Sequence, residues 1–297
     1  MDMIKVEHVT KDFGSKKGIF DVTLCVRQGE VFGYLGPNGA GKSTTIRQLM
    51  GFLKPDRGKL LIMDKDCFWE REKIQRDLGY LAGEIAFMDD MTGNGYLDFM
   101  ASMKGITDKS RMNQLMEQFE LNAKGKIRKM SKGMKQKIGI VCAFMGNPKV
   151  VILDEPTSGL DPLMQNRFVE LILEEKKKGT TIFMSSHIFE EVEKTCDRTA
   201  IIREGRIVDI VDMTSLAKMK KREYVITLRE EEQAKQLSEE AGISISSISG
   251  NRVSVFPETC ISDMLKTISK YEVTDIDVRS QSLEEWFLHY YREEAKG

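Results

Sequence analysis

A chain of 297 residues exceeds one ordinary domain, has room for a large core, and by length alone points to two units. Lysine and arginine (45) nearly balance aspartate and glutamate (46), so there is no bulk attraction to nucleic acid or anionic lipid even though charged residues make up 31% of the sequence. Five scattered cysteines without C-x-x-C or metal-ligand spacing argue against a disulfide scaffold or zinc module, no signal-like segment opens the chain, and no apolar run approaches the roughly twenty residues of a spanning helix.

Residues 1 to about 80 are expected to supply antiparallel strands and one phosphate-binding turn. Residues 31–35 read as a short buried strand and 43–50 as a helix. Between them Gly36, Pro37, Asn38, Gly39, Ala40, Gly41, Lys42 and Ser43, with Thr44 next, fit the pattern G-x-x-x-x-G-K-[ST]. Glycines there let backbone N–H groups close around phosphate oxygens at the positive end of a helix. Lys42 would reach the outer phosphates, and the Ser43 hydroxyl would take a place on Mg²⁺.

Residues 85 to 147 are expected to be mostly helical, with Leu97, Met100, Leu115, Met116 and Phe119 at helical spacing within 93–104 and 110–121. The basic stretch 124–137 lacks interleaved aromatics and reads as a solvated face rather than a nucleic-acid patch. Inside it, Ser131 offers a short hydroxyl at a helix start and Gly133 permits close backbone approach; a plain N-capped amphipathic helix would also explain Ser131.

Residues 150–153 are all apolar and deliver Asp154 and Glu155, as a buried central strand would. Asp154 can hold Mg²⁺, directly or through water, and Glu155 is placed to orient or deprotonate a water attacking the γ-phosphate. Asp161, before Pro162, has the form of a helix cap. An apolar strand at 181–185 precedes His187, one of only three histidines.

After about residue 221 the character changes. Strand at 224–228, helix at 230–241, strand at 243–248, a Gly250-Asn251 turn into 253–255, helix at about 259–270 and strand at 273–278 follow β-α-β-β-α-β order, which implies a small ferredoxin-like α+β sandwich. Residues 282–291 read as an amphipathic terminal helix with Leu283, Trp286, Phe287 and Tyr290 on one face. The expected architecture is therefore an α/β phosphate-loop NTPase core over residues 1–218, with an antiparallel β subdomain and a helical subdomain inserted at about 85–147, followed by an accessory α+β domain over 219–297.

Over about residues 1–211 the combination of phosphate loop, Ser131-x-Gly133-x-x-Gln136 and Asp154-Glu155 resembles the ATP-binding subunits of ABC transporters. The tail, ending in Ser-Leu-Glu-Glu-Trp-Phe, resembles the accessory domain of bacterial drug, peptide and antibiotic exporter ATPases. The resemblance implies a dimer, with an identical copy or a related cassette, in which Ser131 and Gly133 of one subunit close on the γ-phosphate held by the other. It implies that His187 senses the γ-phosphate, that Asp161 couples the two sites, and that Phe13 stacks on adenine, where a core phenylalanine is the other reading. The usual form Leu-Ser-Gly-Gly-Gln is replaced by Met130, Ser131, Lys132, Gly133 and Met134, which puts the strength of closure in question. The family's metal-binding glutamine aligns with Gly83, so that Glu84 substitutes or water completes the metal shell.

The function so implied is ATP hydrolysis with Mg²⁺, powering transport in the export direction through separate integral-membrane permease subunits, whose coupling helix some residues near Phe87 and Met88 would meet. The chain would be cytoplasmic and peripheral on the inner face of the cell membrane, with no nucleic-acid partner. Two other readings stay open: a soluble ABC-type ATPase acting on ribosomes or nucleic acid, and a low-turnover nucleotide sensor. The transported substrate lies beyond what this chain encodes.

Overall fold

The computed structural model describes residues 1–88, 90–219, 222–238, 240, 243–257 and 261–280; the expected terminal helix at 282–291 lies outside them. The chain divides into two compact units, Met1–Thr214 and one beginning at Ser215.

The first unit opens with a hairpin of β1 (Asp2–Asp12) and β2 (Gly18–Arg27), whose inward positions include Val6, Val22 and Val26. The next strand, β3 (Val31–Leu35), is buried at every position. A strand covered on both faces reads as a continuous apolar run, and β3 accordingly leaves the hairpin for the centre of a different sheet. The phosphate-loop segment then enters α1 (Lys42–Leu49). β4 (Arg57–Ile62) and β5 (Lys65–Asp66) return to complete an antiparallel sheet in the order β2-β1-β4-β5.

After α2 (Arg71–Gln75) and β6 (Leu78–Leu81) come three arm helices, α3 (Gly93–Met103), α4 (Ser110–Gln118) and α5 (Lys132–Phe144). Thr92 caps α3 by accepting from the Gly95 amide, and Ser131 caps α5 by accepting from Met134. Leu97, Leu115 and Phe119 are fully buried, whereas Met100 and Met116 lie half-buried at the edge of the same faces.

β7 (Val150–Asp154), α6 (Pro162–Lys177), β8 (Thr181–Ser186), α7 (Phe189–Thr195), β9 (Arg198–Arg203) and β10 (Arg206–Asp212) finish the unit. The resulting six-stranded sheet runs β10-β9-β3-β8-β7-β6, parallel except for β10. Phe32, Tyr34 and Phe183 pack in its core, with Phe183 centred 6.0 Å from Phe32 and 5.3 Å from Tyr34. Burial of each such ring contributes on the order of 2 kcal/mol. Register then decides function: Leu35 pairs with Ser186 and Asp154 with Ser185. The carboxyl ends of β3, β8 and β7 therefore lie side by side, where an α/β sheet places its ligands.

The second unit includes β11 (Arg222–Leu228), α9 (Glu231–Ser238), β12 (Ile243–Ser249), β13 (Arg252–Pro257), α10 (Ile261–Ile268) and β14 (Val273–Ser280); α8 (Met213–Met219) crosses the boundary between the units. Its sheet is antiparallel in the order β12-β13-β11-β14. Ile226, Leu228, Val253 and Val255 face Ala234 and Leu237 of α9 and Met264 and Ile268 of α10 in one core. Gly250 turns the β12–β13 hairpin at φ 60°, and the Asn251 side-chain amide donates to the Leu228 carbonyl at 2.7 Å.

Candidate functional site

The loop between β3 and α1 is shaped by two glycines. At Gly41 the backbone has φ 111°, and a Cβ there would lie 2.6 Å from Ile19 Cγ2. At Gly36 a Cβ would lie 2.3 Å from the Ile202 carbonyl oxygen. Beneath them the hydroxyls of Tyr34 and Thr45 share a hydrogen bond at 3.1 Å, and Thr45 donates to the Gly41 carbonyl at 3.2 Å. No side chain caps α1 and no acid stands in its first turn, so its leading amide groups and their positive end are open to an anion. Pro37, Asn38, Gly39 and Ser43 are exposed, Thr44 is half-buried and Ala40 is buried.

Lys42 is 5% exposed and donates to the carbonyls of Gly36 at 2.8 Å and Pro37 at 3.2 Å. Its ammonium is also 3.5 Å from Glu155 Oε1, and the same oxygen is 3.4 Å from His187 Nδ1. Glu155 thus stands between the lysine of the phosphate loop and the histidine after β8. Its backbone has φ 48°, a conformation that costs a side-chain-bearing residue on the order of 1 kcal/mol or more. Two contacts hold it there: the Glu155 amide donates to the Ser185 carbonyl and to Ser185 Oγ, both at 3.2 Å. Ser185 Oγ in turn donates to Asp154 Oδ1 at 2.5 Å, so one hydroxyl orients both acids.

Phe13 is 55% exposed rather than packed in the core. It lines a cleft of about 940 Å³ together with Asn38, Lys42, Ser43, Thr44 and Glu155. A second cleft of about 800 Å³ is lined by Ser43, Asp154, Glu155, Glu84 and Lys132. Its Ser43 hydroxyl and Asp154 carboxylate are hard oxygen donors, the set a Mg²⁺ ion takes alongside phosphate oxygens and water. A Cβ at Gly83 would lie 3.3 Å from Asp154 Oδ2, so the loop's backbone passes close over that carboxylate and Glu84 stands exposed at the next position.

Ser131, Gly133 and Asp161 do not line the phosphate-loop cleft. Ser131 caps α5, and Asp161 caps α6 by accepting from the Met164 amide at 3.0 Å, both remaining exposed. A Cβ at Gly133 would lie 2.8 Å from the Gly159 carbonyl oxygen. Lys132 donates to Ser158 Oγ at 2.9 Å, and Gln136 donates to the Pro156 carbonyl at 2.7 Å. The start of α5 is thereby tied to the loop that follows Glu155.

Sequence reasoning did not single out Ser185 or Glu191. Glu191 is 6% exposed, and burial pushes its carboxyl up to about 7. The available signals were two serines closing an apolar strand, and an acid four residues after His187, one helical turn on.

The ABC transporter family matches residues 19–158. The chain is 35% identical over 241 residues to the bacitracin transport ATP-binding protein BcrA of Bacillus licheniformis, covering 80% of this chain and 79% of that protein. It is 36% identical over 219 residues to the linearmycin resistance ATP-binding protein LnrL of Bacillus subtilis (strain 168), covering 72% and 70%. Among solved structures, an ATP binding subunit of an ABC transporter superposes with TM-score 0.66 at 31% identity, covering 73% of this chain and 92% of that one. A dimeric bacterial ABC transporter cassette superposes with TM-score 0.63 at 24% identity, a likeness of fold, over 71% and 99%.

Proposed function

The chain belongs to the ATP-binding subunits of ABC transporters, and from that premise we propose that two copies close head to tail around ATP and drive export through separate membrane subunits. It is an ATPase of that family. The observation that carries the hydrolytic reading is the placement of Glu155 Oε1 at 3.5 Å from Lys42 Nζ and 3.4 Å from His187 Nδ1, beside the open amino end of α1.

In this reading the phosphate-loop amides and Lys42 bind the phosphate chain, Phe13 covers the base, and Glu155 takes the proton of the attacking water. Phe13 supplies a stacking face without choosing between bases. His187 orients Glu155 and meets the γ-phosphate. Ser43 and Asp154 would hold Mg²⁺, with Glu84 at the rim of the same cleft; the ion would neutralise phosphate charge. Ser131 and Gly133, outside this chain's own phosphate cleft, are free to serve a partner's nucleotide, and exposed Asp161 would couple the two sites across the dimer.

The strand order and alternating helices of the second unit support a ferredoxin-like sandwich. We assign it to dimer stabilisation: truncation after Met219 should weaken the dimer, and unchanged dimer affinity would remove that role. No helix among the described residues is long and apolar enough to cross a membrane; membership of the ABC transporter family supports a transport path on separate membrane subunits that hold this chain at the inner membrane face. Half-buried Phe87, set edge-on to Tyr96 at 5.0 Å, and exposed Met88 offer apolar surface for such a partner.

The relatives' named roles in bacitracin transport and linearmycin resistance support an antibiotic or drug exporter. Affinity capture of Glu155→Gln protein from native membranes, in detergent with ATP, tests the assembly. A multi-span membrane protein is the expected partner; ribosomal proteins or nucleic-acid factors would overturn the proposal.

A further inference from the structure

His187 is held from behind by a residue that has no place in the phosphate chemistry described above. The Ser186 hydroxyl donates to Glu191 Oε2 at 2.7 Å and accepts from the Ile188 amide at 2.9 Å. One oxygen thus bridges from the residue before His187 to the residue after it. A hydroxyl has a single proton. With that proton committed to Glu191, its lone pairs are left to face the Ile188 N–H, and the turn at His187 closes.

Glu191 is itself fixed. It lies on the buried face of α7, and the Thr195 hydroxyl one turn later donates to its backbone carbonyl at 2.7 Å. Thr157, two residues after Glu155, also faces the carboxyl, although Oε1 makes no hydrogen bond of good geometry. A buried acid with an unmatched oxygen costs stability. It also sits between the two segments that carry Glu155 and His187.

We propose that Glu191 is a positioning residue for hydrolysis: by locking the Ser186 hydroxyl it fixes the turn that presents His187 to Glu155. The inference rests on the ATPase reading of the site. It assigns Glu191 no contact with nucleotide; its effect on hydrolysis runs through the turn at His187.

The test is steady-state ATP hydrolysis by the full chain carrying Glu191→Ala, Glu191→Gln, His187→Ala, and Glu191→Ala with His187→Ala together. Losing one positioning hydrogen bond predicts a fall in kcat of about tenfold for Glu191→Ala, with KM for ATP held within about twofold. Glu191→Gln keeps a carbonyl acceptor for Ser186 and should recover most of the rate. In the His187→Ala background, Glu191→Ala should add nothing, the non-additivity of residues acting as one unit.

Wild-type kcat in Glu191→Ala would overturn the proposal, as would an equal loss with and without His187. If Glu191→Ala does not fold, Ser186→Ala removes the same bond from the other side and should show the same kcat loss with KM unchanged. An undiminished rate in His187→Ala would instead remove the site reading itself, a result distinguishable from a failure of Glu191 alone.

Discussion

Replacing Glu191 with glutamine should stabilise the first unit at pH 8 and leave its stability nearly unchanged at pH 5. Burial is the main cause that raises the Glu191 carboxyl from 4.5 to about 7; the Ser186 and Thr157 hydroxyls oppose it, and the negative charge of Glu155 adds to it. Between those values the folded chain keeps a proton that the unfolded chain has already released. Stability therefore falls as pH rises from about 4.5 to about 7, then levels. At roughly 1.4 kcal/mol per pH unit, the loss across the window is on the order of 3 kcal/mol.

Glutamine is neutral throughout and avoids that loss. For a unit of this size the difference corresponds to roughly 5–10 °C in melting temperature. The assay is thermal or urea unfolding of both proteins at pH 5 and pH 8, following the transition of the first unit. A stability difference that is the same at both pH values would show that Glu191 ionises like a surface acid, and the burial argument would fail.

Two further substitutions probe the frame around the site. Gly41→Ala forces a side chain into φ 111° and against Ile19, at a strain of order 1–3 kcal/mol; calorimetric titration should show ATP affinity reduced at least about tenfold, and unchanged affinity would refute the loop geometry. Arg111→Ala breaks a buried ion pair with Glu175 that ties α4 to α6. Lys178 and Thr180 still donate to Glu175, so the expected cost is about 3 kcal/mol in urea unfolding, the lower end for such pairs.

The parts of this molecule legible in the sequence are those whose causes are local. The glycine spacing at 36–41 dictates a turn, and the uninterrupted apolar run before Asp154 dictates a strand buried on both faces. Ser131 and Asp161 announce helix starts because a capping hydroxyl or carboxylate acts within its own turn. What depends on contacts across the chain was not legible. Nothing local says that β3 departs from its hairpin neighbours to pair with β8, more than a hundred residues on in the chain. Nor could spacing show that Ser185 serves both Asp154 and Glu155, because the register of β7 against β8 sets that contact. Phe13 illustrates the limit from the other side: its place at the end of β1 allowed a core role or a cleft role, and only packing leaves it exposed beside the phosphate loop. Glu191 resembled an ordinary acid in the first turn of a helix until burial and the Ser186 contact set it apart.

The most direct test of the account is ATP turnover and ATP binding measured side by side for the unsubstituted chain and Glu155→Gln. With Glu155 as the group that takes the proton of the attacking water, hydrolysis should fall by at least about 10²–10⁴-fold while ATP still binds. Hydrolysis at the unsubstituted rate in Glu155→Gln would contradict it and move the catalytic base away from the carboxylate held between Lys42 and His187.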